Sequence, residues 1–381
     1  MKNYKRLGDY IREVNVRNRE LEVKKLVGLT IDKAFIPSVA NVIGTDLSNY
    51  KIIQKEQFAC SLMQVSRDGK MPVAMFEEDQ AIMSPAYPMF EVIDKTVLLP
   101  QYLMMWFSRS EFDREASYYA VGGVRGSLTW EDFCNMRLPI PSITRQHEIV
   151  AEYETLTRRI RLNEQMIQYL EDTAQALYRK MFVDGINKEN LPKGWRMGTL
   201  GEVCLVNPKL SIKPKLAIPY FDMDSLPVKG YFIKKYQYKE FSSGMKFQNG
   251  DVLFARITPC MENGKAAIVS DLKDTEIAFG STEFIILQGK NQKLTSFIAT
   301  LVRNDMFRKF AKTQMKGTDG RQRVDATSLL NYKIVIPNDI TLQMIENSLS
   351  DLYNQMYLIT KENFKLTELQ SLLLAKMGLY K

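Results

Sequence analysis

The sequence predicts an α+β fold: two globular mixed α/β domains separated by an antiparallel coiled coil of two long helices, with a pseudo-twofold from internal duplication. Three observations predict it. The chain repeats itself at an offset of about 196 residues. Each copy ends in an uninterrupted run of apolar residues at coiled-coil spacing. Each copy begins with strand-rich sequence broken by Gly, Pro and Asn turn signals.

The repeat is clearest at a strand-to-helix transition. RLPIPSITRQHEIV (137–150) and KIVIPNDITLQMIE (333–346) both run an apolar strand into a proline, a few polar residues and an amphipathic helix. Pro141 and Pro337 stop each strand before its helix starts. At the same offset Arg125 falls on Arg321, Leu128 on Val324, Phe133 on Leu329 and LYRKM (177–181) on LLAKM (373–377). Upstream the offset drifts: RDGK (67–70) matches ENGK (262–265), KRLGDY near residue 7 matches GTLGEV near 200, and Val14-Asn15 matches Val206-Asn207. The match reaches both ends of each half, which fixes the architecture as a duplication.

Element by element, residues 1–143 form the first globular domain and 184–337 the second. Strand signals include GDVLFARI (250–257) and STEFIIL (281–287), with a helical stretch at 101–116. The first long helix covers 144–183. Its core stripe is Ile149, Tyr153, Leu156, Ile160, Asn163, Ile167, Leu170, Ala174, Leu177 and Met181. The second covers 338–381, with Leu342, Ile345, Leu349, Leu352, Met356, Ile359, Asn363, Leu366, Gln370, Leu373 and Met377. Steps alternate between three and four, and no Pro or Gly interrupts either run.

Two matched helices in one chain most simply pair with each other. A domain separates them, so a pseudo-twofold makes them antiparallel. Pairing Asn163 with Asn363 sets Ile167 opposite Ile359 and is self-consistent under the repeat. A buried Asn pair would penalise slipped registers at a cost in stability; the alternative is that both amides reach solvent at the seam's edge. From 149 to 181 the helix spans roughly 48 Å, close to one and a half DNA turns at about 34 Å each. A rod holding two similar basic domains that far apart resembles a ruler for two half-sites. The bland alternative is a coiled-coil protein-interaction scaffold without DNA specificity.

Composition agrees with either. Lys+Arg 52 against Asp+Glu 44 gives a net charge of +8, which favours a polyanionic partner or describes a mildly basic protein. The four cysteines form no C-x-x-C pair and read as buried free thiols. The N-terminus lacks an apolar signal core and no apolar run reaches membrane-spanning length, so a soluble intracellular chain is expected. The single histidine, His147, disfavours a His-dependent triad or metal site, and no metal ligand set is expected. No phosphate-binding G-x-x-x-x-G-K-[ST] loop and no dinucleotide-type glycine loop occur. The chain itself reads as non-catalytic.

The whole arrangement resembles the specificity subunits of type I restriction–modification systems, the HsdS family. The resemblance rests on QHEIVAEYETLTRRIRLNEQMIQYLEDTAQALYRKMF (146–182), LPKGWRMGTLGEV (191–203), KFQNGDVLFARITPCMENGKAAIV (246–269) and GSTEFIIL (280–287). In the first domain FIPSVANVIGTDLSNYKII (35–53) and SPAYPMFEV (84–92) extend it, so it covers essentially the whole chain. One departure is that the first domain starts without the proline-tryptophan lead seen before the second, which leaves its outer boundary open. The resemblance implies two target-recognition domains at opposite ends of an antiparallel helix pair. Each would read one half of a bipartite, asymmetric site in double-stranded DNA with a fixed spacer. It also implies two methyltransferase (modification) subunits as partners, joined in restriction complexes by motor-nuclease (restriction) subunits. No cofactor is expected on this chain; S-adenosylmethionine belongs to the methyltransferase partner. Localisation would be cytoplasmic, in a prokaryote, with the nucleoid. The outward helix faces bearing Arg158, Arg159, Arg161 and Lys361 become docking surfaces, or remain merely solvated.

Specific readout needs side chains on loops that reach groove edges, flanked by cations. Arg125 in GGVRGS (122–127) and Arg321 with Arg323 in GTDGRQR (317–323) occupy equivalent glycine-flanked loops. They either contact DNA or pack domain against rod. Lys70 and Lys265 sit in matched turns between strands, where they contact DNA or are exposed turn lysines of no consequence. Arg256 on the apolar strand LFARITP faces a groove or a core ion pair, and Lys246 opens a resembling motif. KGYFIKKYQYKEF (229–241) interleaves cations and aromatics, or is an ordinary edge strand. Thr45, Ser48, Asn49 and Lys51 rank below the arginines.

Overall fold

The computed structural model describes residues 4–38, 44–63, 65–121, 126–212, 216–233, 236–290, 294–318 and 322–379. The chain divides into two compact units, Met1–Arg159 with Leu366–Lys381, and Ile160–Lys365. Each unit contains a mixed α/β body and part of both long helices.

In the first unit an antiparallel sheet runs Ile11–Glu13, Met89–Val92, Phe58–Cys60, Val73–Met75. In the second, Cys204–Val206, Phe284–Gly289, Val252–Ala255 and Ala266–Ile268 take the same order, again all antiparallel. A second sheet also repeats. In the second unit it is Gln237–Glu240, Ala217–Phe221, Ala278–Gly280, Met245–Phe247, with a parallel pair at its centre. In the first unit the hairpins Val27–Leu29/Phe35–Pro37 and Lys51–Gln54/Gln80–Met83 are joined by a parallel bridge between Leu26 and Ile82. The duplication seen in the sequence is therefore a duplication of topology.

The helices follow suit. Pro100–Phe107 and Ser110–Ala120 in the first unit correspond to Thr295–Arg303 and Asp305–Thr313 in the second. The strand before each long helix pairs with the unit's first strand: Tyr4–Arg6 with Arg137–Pro139, and Arg196–Thr199 with Lys333–Ile336. Aromatic burial dominates the first core. Phe58 and Phe90 stack at 5.0 Å, and Phe107 meets both edge-on. Each such ring contributes about 1.5–3 kcal/mol relative to exposure.

The long helices run over Ile143–Phe182 and Asp339–Met377, 40 and 39 residues. Matched polar residues open them. Ser142 Oγ accepts from Arg145 N at 3.4 Å, and Asn338 Oδ1 accepts from Thr341 N at 2.9 Å. Each satisfies one of the orphan donors of a first helical turn. Of the expected core stripe, Ile149, Asn163, Ile167, Leu170, Ile345, Leu349 and Met356 are buried. Leu156, Ile160, Leu177, Leu352, Ile359, Asn363, Leu366 and Leu373 are half-buried. In the second unit Asn163 Nδ2 donates to Asn363 Oδ1 at 2.8 Å and to Glu362 Oε2 at 3.0 Å. In the first unit Gln370 Nε2 donates to Thr157 Oγ1 at 2.7 Å.

Candidate nucleic-acid interface

Each body holds its glycine-flanked loop by the same backbone bond. Leu128 N donates to Leu62 O at 2.9 Å, and Val324 N donates to Arg256 O at 2.9 Å. Both acceptors lie just past the third strand in the sheet order, Phe58–Cys60 or Val252–Ala255. The loops thus emerge from equivalent places. Their tips, with Arg125 and Arg321, lie outside the described residues. Gly126 is required where the first loop returns: its φ is +69°, and a Cβ there would lie 2.0 Å from Ser66 Oγ.

In the second body the loop is flanked by the two-residue pairing Met315–Lys316 with Arg323–Val324. Arg323 is clasped by Glu283, with Nε at 2.8 and 2.9 Å from its two oxygens and Nη2 at 2.7 Å. Such a fork fixes a guanidinium's direction while leaving it part-exposed. Arg256 N donates to Glu283 O, and Ile257 bridges to Arg323, which brings both arginines against one glutamate. Glu283 is committed to Arg323. The buried Nε of Arg256 has no hydrogen-bond partner among the described residues.

Three cations missed in the sequence border this corner. Lys316 pairs with Asp325 at 2.5 Å, and its bond, followed by that of Thr327, holds the Asp325 carboxyl well below the usual range. Lys312 pairs with Glu262 at 2.6 Å; Arg308 donates to Glu262 O at 3.0 Å. The four-residue spacing of Arg308 and Lys312 on one helix face was the available signal. Two expected cations are turned inward. Lys265 Nζ donates to Met223 O at 3.1 Å and Asp224 Oδ1 at 3.3 Å. Lys246 Nζ donates to Leu210 O at 3.1 Å, over the ring of Phe241.

In the first body Lys70 is exposed and pairs with Asp32 at 3.0 Å. Thr45 is exposed, and the turn after it is closed by Asp46, which accepts from Ser48 N at 2.9 Å and Asn49 Nδ2 at 3.2 Å. Arg17 donates to Asn49 O at 2.6 Å, adding a cation that sequence reasoning passed over. Lys51 does not join this surface. It is 5% exposed, its ammonium donates to Tyr87 O at 2.9 Å, and burial pushes its pKa down.

On the long helices Arg158, Arg159 and Arg161 are exposed, whereas Lys361 pairs with Asp271 at 2.7 Å. In the second unit, Leu162, Met166 and Tyr169 form an exposed apolar stripe at helical spacing on the first long helix. A cavity of about 490 Å³ lies elsewhere in that unit, between the second long helix and Phe232, Ile268 and Thr295; its one carboxylate is Glu346. Among the described residues no group of three or more His, Cys, Asp or Glu could hold a metal ion. Cys60, Cys134 and Cys204 are buried thiols, and Cys260 is half-buried. No helix among the described residues is long and apolar enough to cross a membrane.

Comparison with known proteins finds similarity to one class of protein. Residues 192–368 match the family model described as the type I restriction modification DNA specificity domain. The chain is 31% identical over 153 residues to the EcoAI type I restriction enzyme specificity subunit of Escherichia coli. It is 28% identical over 168 residues to the corresponding EcoEI subunit of the same organism. These stretches are 39% and 42% of this chain, but only 26% and 28% of the relatives, about a quarter of their length. The crystal structure of a type I restriction–modification system S subunit from M. genitalium shares the fold. Its TM-score is 0.57 at 15% identity, over 98% of this chain and 95% of that one. Residues 192–368 belong to the type I restriction specificity-domain family, and the resemblance of the chain to the HsdS specificity subunits stands.

Proposed function

We propose that this chain is the DNA-recognition subunit of a type I restriction–modification complex and is itself non-catalytic. Each body is a target-recognition domain that reads one half of a bipartite, asymmetric site. The observation that carries this reading is the repeated topology, in which the chain following each glycine-flanked arginine segment is anchored by the same backbone bond in both bodies. Arg125, Arg321 and Arg323 are the foremost base- or phosphate-contacting candidates. Arg256, Lys70, Thr45, Ser48 and Asn49 are secondary to them, and Lys246, Lys265 and Lys51 act only after leaving their present partners.

The two long helices pair antiparallel along their length and set the spacer. The Asn163–Asn363 contact supports antiparallel pairing within one unit, and the Thr157–Gln370 contact supports it within the other. Two methyltransferase subunits dock on the outward helix faces, where the stripe of Leu162, Met166 and Tyr169 offers apolar area beside Arg158 and Arg161. S-adenosylmethionine and the methyl transfer belong to those subunits, and motor-nuclease subunits join when the complex restricts DNA. The site of action is the prokaryotic nucleoid.

The test is a gel-shift titration of the chain co-purified with its methyltransferase partner on duplexes carrying a gapped site. Specific binding with affinity falling steeply as salt rises is expected. Binding without sequence preference, or none, favours a protein-interaction scaffold instead.

A further inference from the structure

The second body is fixed to the first long helix by a buried charge cluster. Arg303 ends the helix Thr295–Arg303 and is 8% exposed. Its Nη1 meets Glu171 Oε1 at 2.7 Å. Every other nitrogen of the guanidinium is also used. Nε donates to Gly264 O at 3.1 Å, and Nη2 donates to Pro227 O at 2.8 Å and Ala266 O at 3.1 Å. The guanidinium carbon lies 4.0 Å from the centre of the Tyr231 ring. The second Glu171 oxygen accepts from Gly230 N at 3.1 Å. One arginine therefore ties the turn carrying Lys265, the 227–231 loop and the long helix into one rigid piece.

A buried charge pair is weak evidence for stability, because desolvation offsets most of the Coulomb gain. What it does supply is geometry: five directed bonds tolerate little rotation. We propose that Arg303 and Glu171 are positioning residues that set the angle of the second recognition domain on its helix. They thereby fix where that domain's half-site must lie along the duplex. This rests on the DNA-recognition reading above. A shift of one base pair moves a half-site by about 3.4 Å and turns it by roughly 35°, so a loosened domain should accept neighbouring spacers.

The test selects binding duplexes from a pool of random-sequence DNA with the full chain in its methyltransferase complex. The wild type, Arg303→Met, and the paired Arg303→Met/Glu171→Met are compared. The paired variant leaves no uncompensated buried charge, so it keeps the test open if the single variant fails to fold. The expected result is an unchanged base sequence in both half-sites, with discrimination between adjacent spacer lengths reduced by roughly tenfold, the effect of about 1.4 kcal/mol. Loss of folded protein alone would weaken binding to all spacers equally. If the folded variants select the wild-type spacer as sharply as the wild type, the inference is overturned while the functional reading survives. If the wild type itself selects no bipartite site, both fall.

Discussion

Across the same two strands, the two bodies place an acid and an amide in opposite order. In the first, Gln57 Nε2 donates to Glu91 Oε2 at 2.9 Å, and Gln57 Oε1 accepts from Gln54 N at 2.8 Å. In the second, Gln288 Nε2 donates to Asp251 Oδ1 at 2.9 Å, and Asp251 Oδ2 accepts from Gln248 N at 2.9 Å. The bonds survive duplication while the charge crosses from one strand to the other. The duplicate conserves donor–acceptor geometry, because an unsatisfied buried group is costly, and lets the residues that supply it drift.

The exchange has a consequence for charge. Asp251 is 1% exposed, and burial pushes its carboxyl above the usual range. Glu91 is also pushed up by burial, but bonds from Gln57 and Arg12 outweigh that and hold it below its usual value. The grip on the first long helix differs in the same sense, while on the second long helix the first body too uses a charge: the buried Arg109 Nε donates to Leu374 O at 3.0 Å. The first body uses neutral Gln146, which is fully buried, accepts from Leu99 N at 2.9 Å and donates to Val97 O and Pro141 O. The second uses charges: Glu171 with Arg303, and Glu346, which accepts from Ser296 N and Phe297 N at the start of the helix Thr295–Arg303.

The largest test of this contrast is removal of one partner from each grip. Glu171→Ala leaves Arg303 buried and uncompensated, and should cost about 3–5 kcal/mol in denaturant unfolding. Gln146→Ala strands neutral groups only and should cost about 1–3 kcal/mol. Equal losses would erase the distinction between the two grips.

Next in size is the exchanged pair. Gln288→Glu sets two carboxylates together and should destabilise at neutral pH; adding Asp251→Gln rebuilds the first body's arrangement and should restore most of the loss. A double-mutant cycle should show coupling of about 0.5–3 kcal/mol, whereas additive losses would mean the two sites do not communicate.

A smaller effect is the pH dependence of the wild type. Asp251, raised in the fold, contributes stability that is full below the unfolded aspartate value near 3.9 and lost as pH rises through its folded value. Glu91, lowered in the fold, contributes above the unfolded glutamate value near 4.3, and that is lost as pH falls through its folded value. Hydrogen exchange in the two bodies between about pH 3 and 7 should therefore show these strands weakening in opposite directions. A common trend in both would contradict the assignment.

The smallest stability change is expected at the helix seam. Replacing Asn163 and Asn363 together with leucine should leave the unfolding midpoint unchanged or raise it, since a polar pair with one buried member gives way to apolar packing. Register should suffer: spin-label distances across the helices are expected to broaden. Distances as narrow as in the wild type would remove the Asn pair's role in register.

The helices were legible because three–four spacing with no Pro or Gly is a local pattern, and Pro141 and Pro337 marked where the preceding strands stop. The repeat was legible because matched turns kept Gly and Pro. Pairings between residues far apart in the chain were not. Glu171 meets Arg303 across 132 positions, and Glu283 clasps Arg323 across 40. Lys51 could have been read correctly: strand alternation puts it on the same face as Ile53, which is fully buried. The polar motif around it drew attention away from that period.

The central claim is that the helix pair measures the distance between two DNA half-sites. Its most direct test inserts one heptad at matched points of both long helices and selects binding duplexes from random DNA with the reconstituted complex. Seven residues add about 10.5 Å of helix, or roughly three base pairs. The account predicts the same two half-sites separated by a spacer about three base pairs longer. The same half-sites at the original spacing would contradict it.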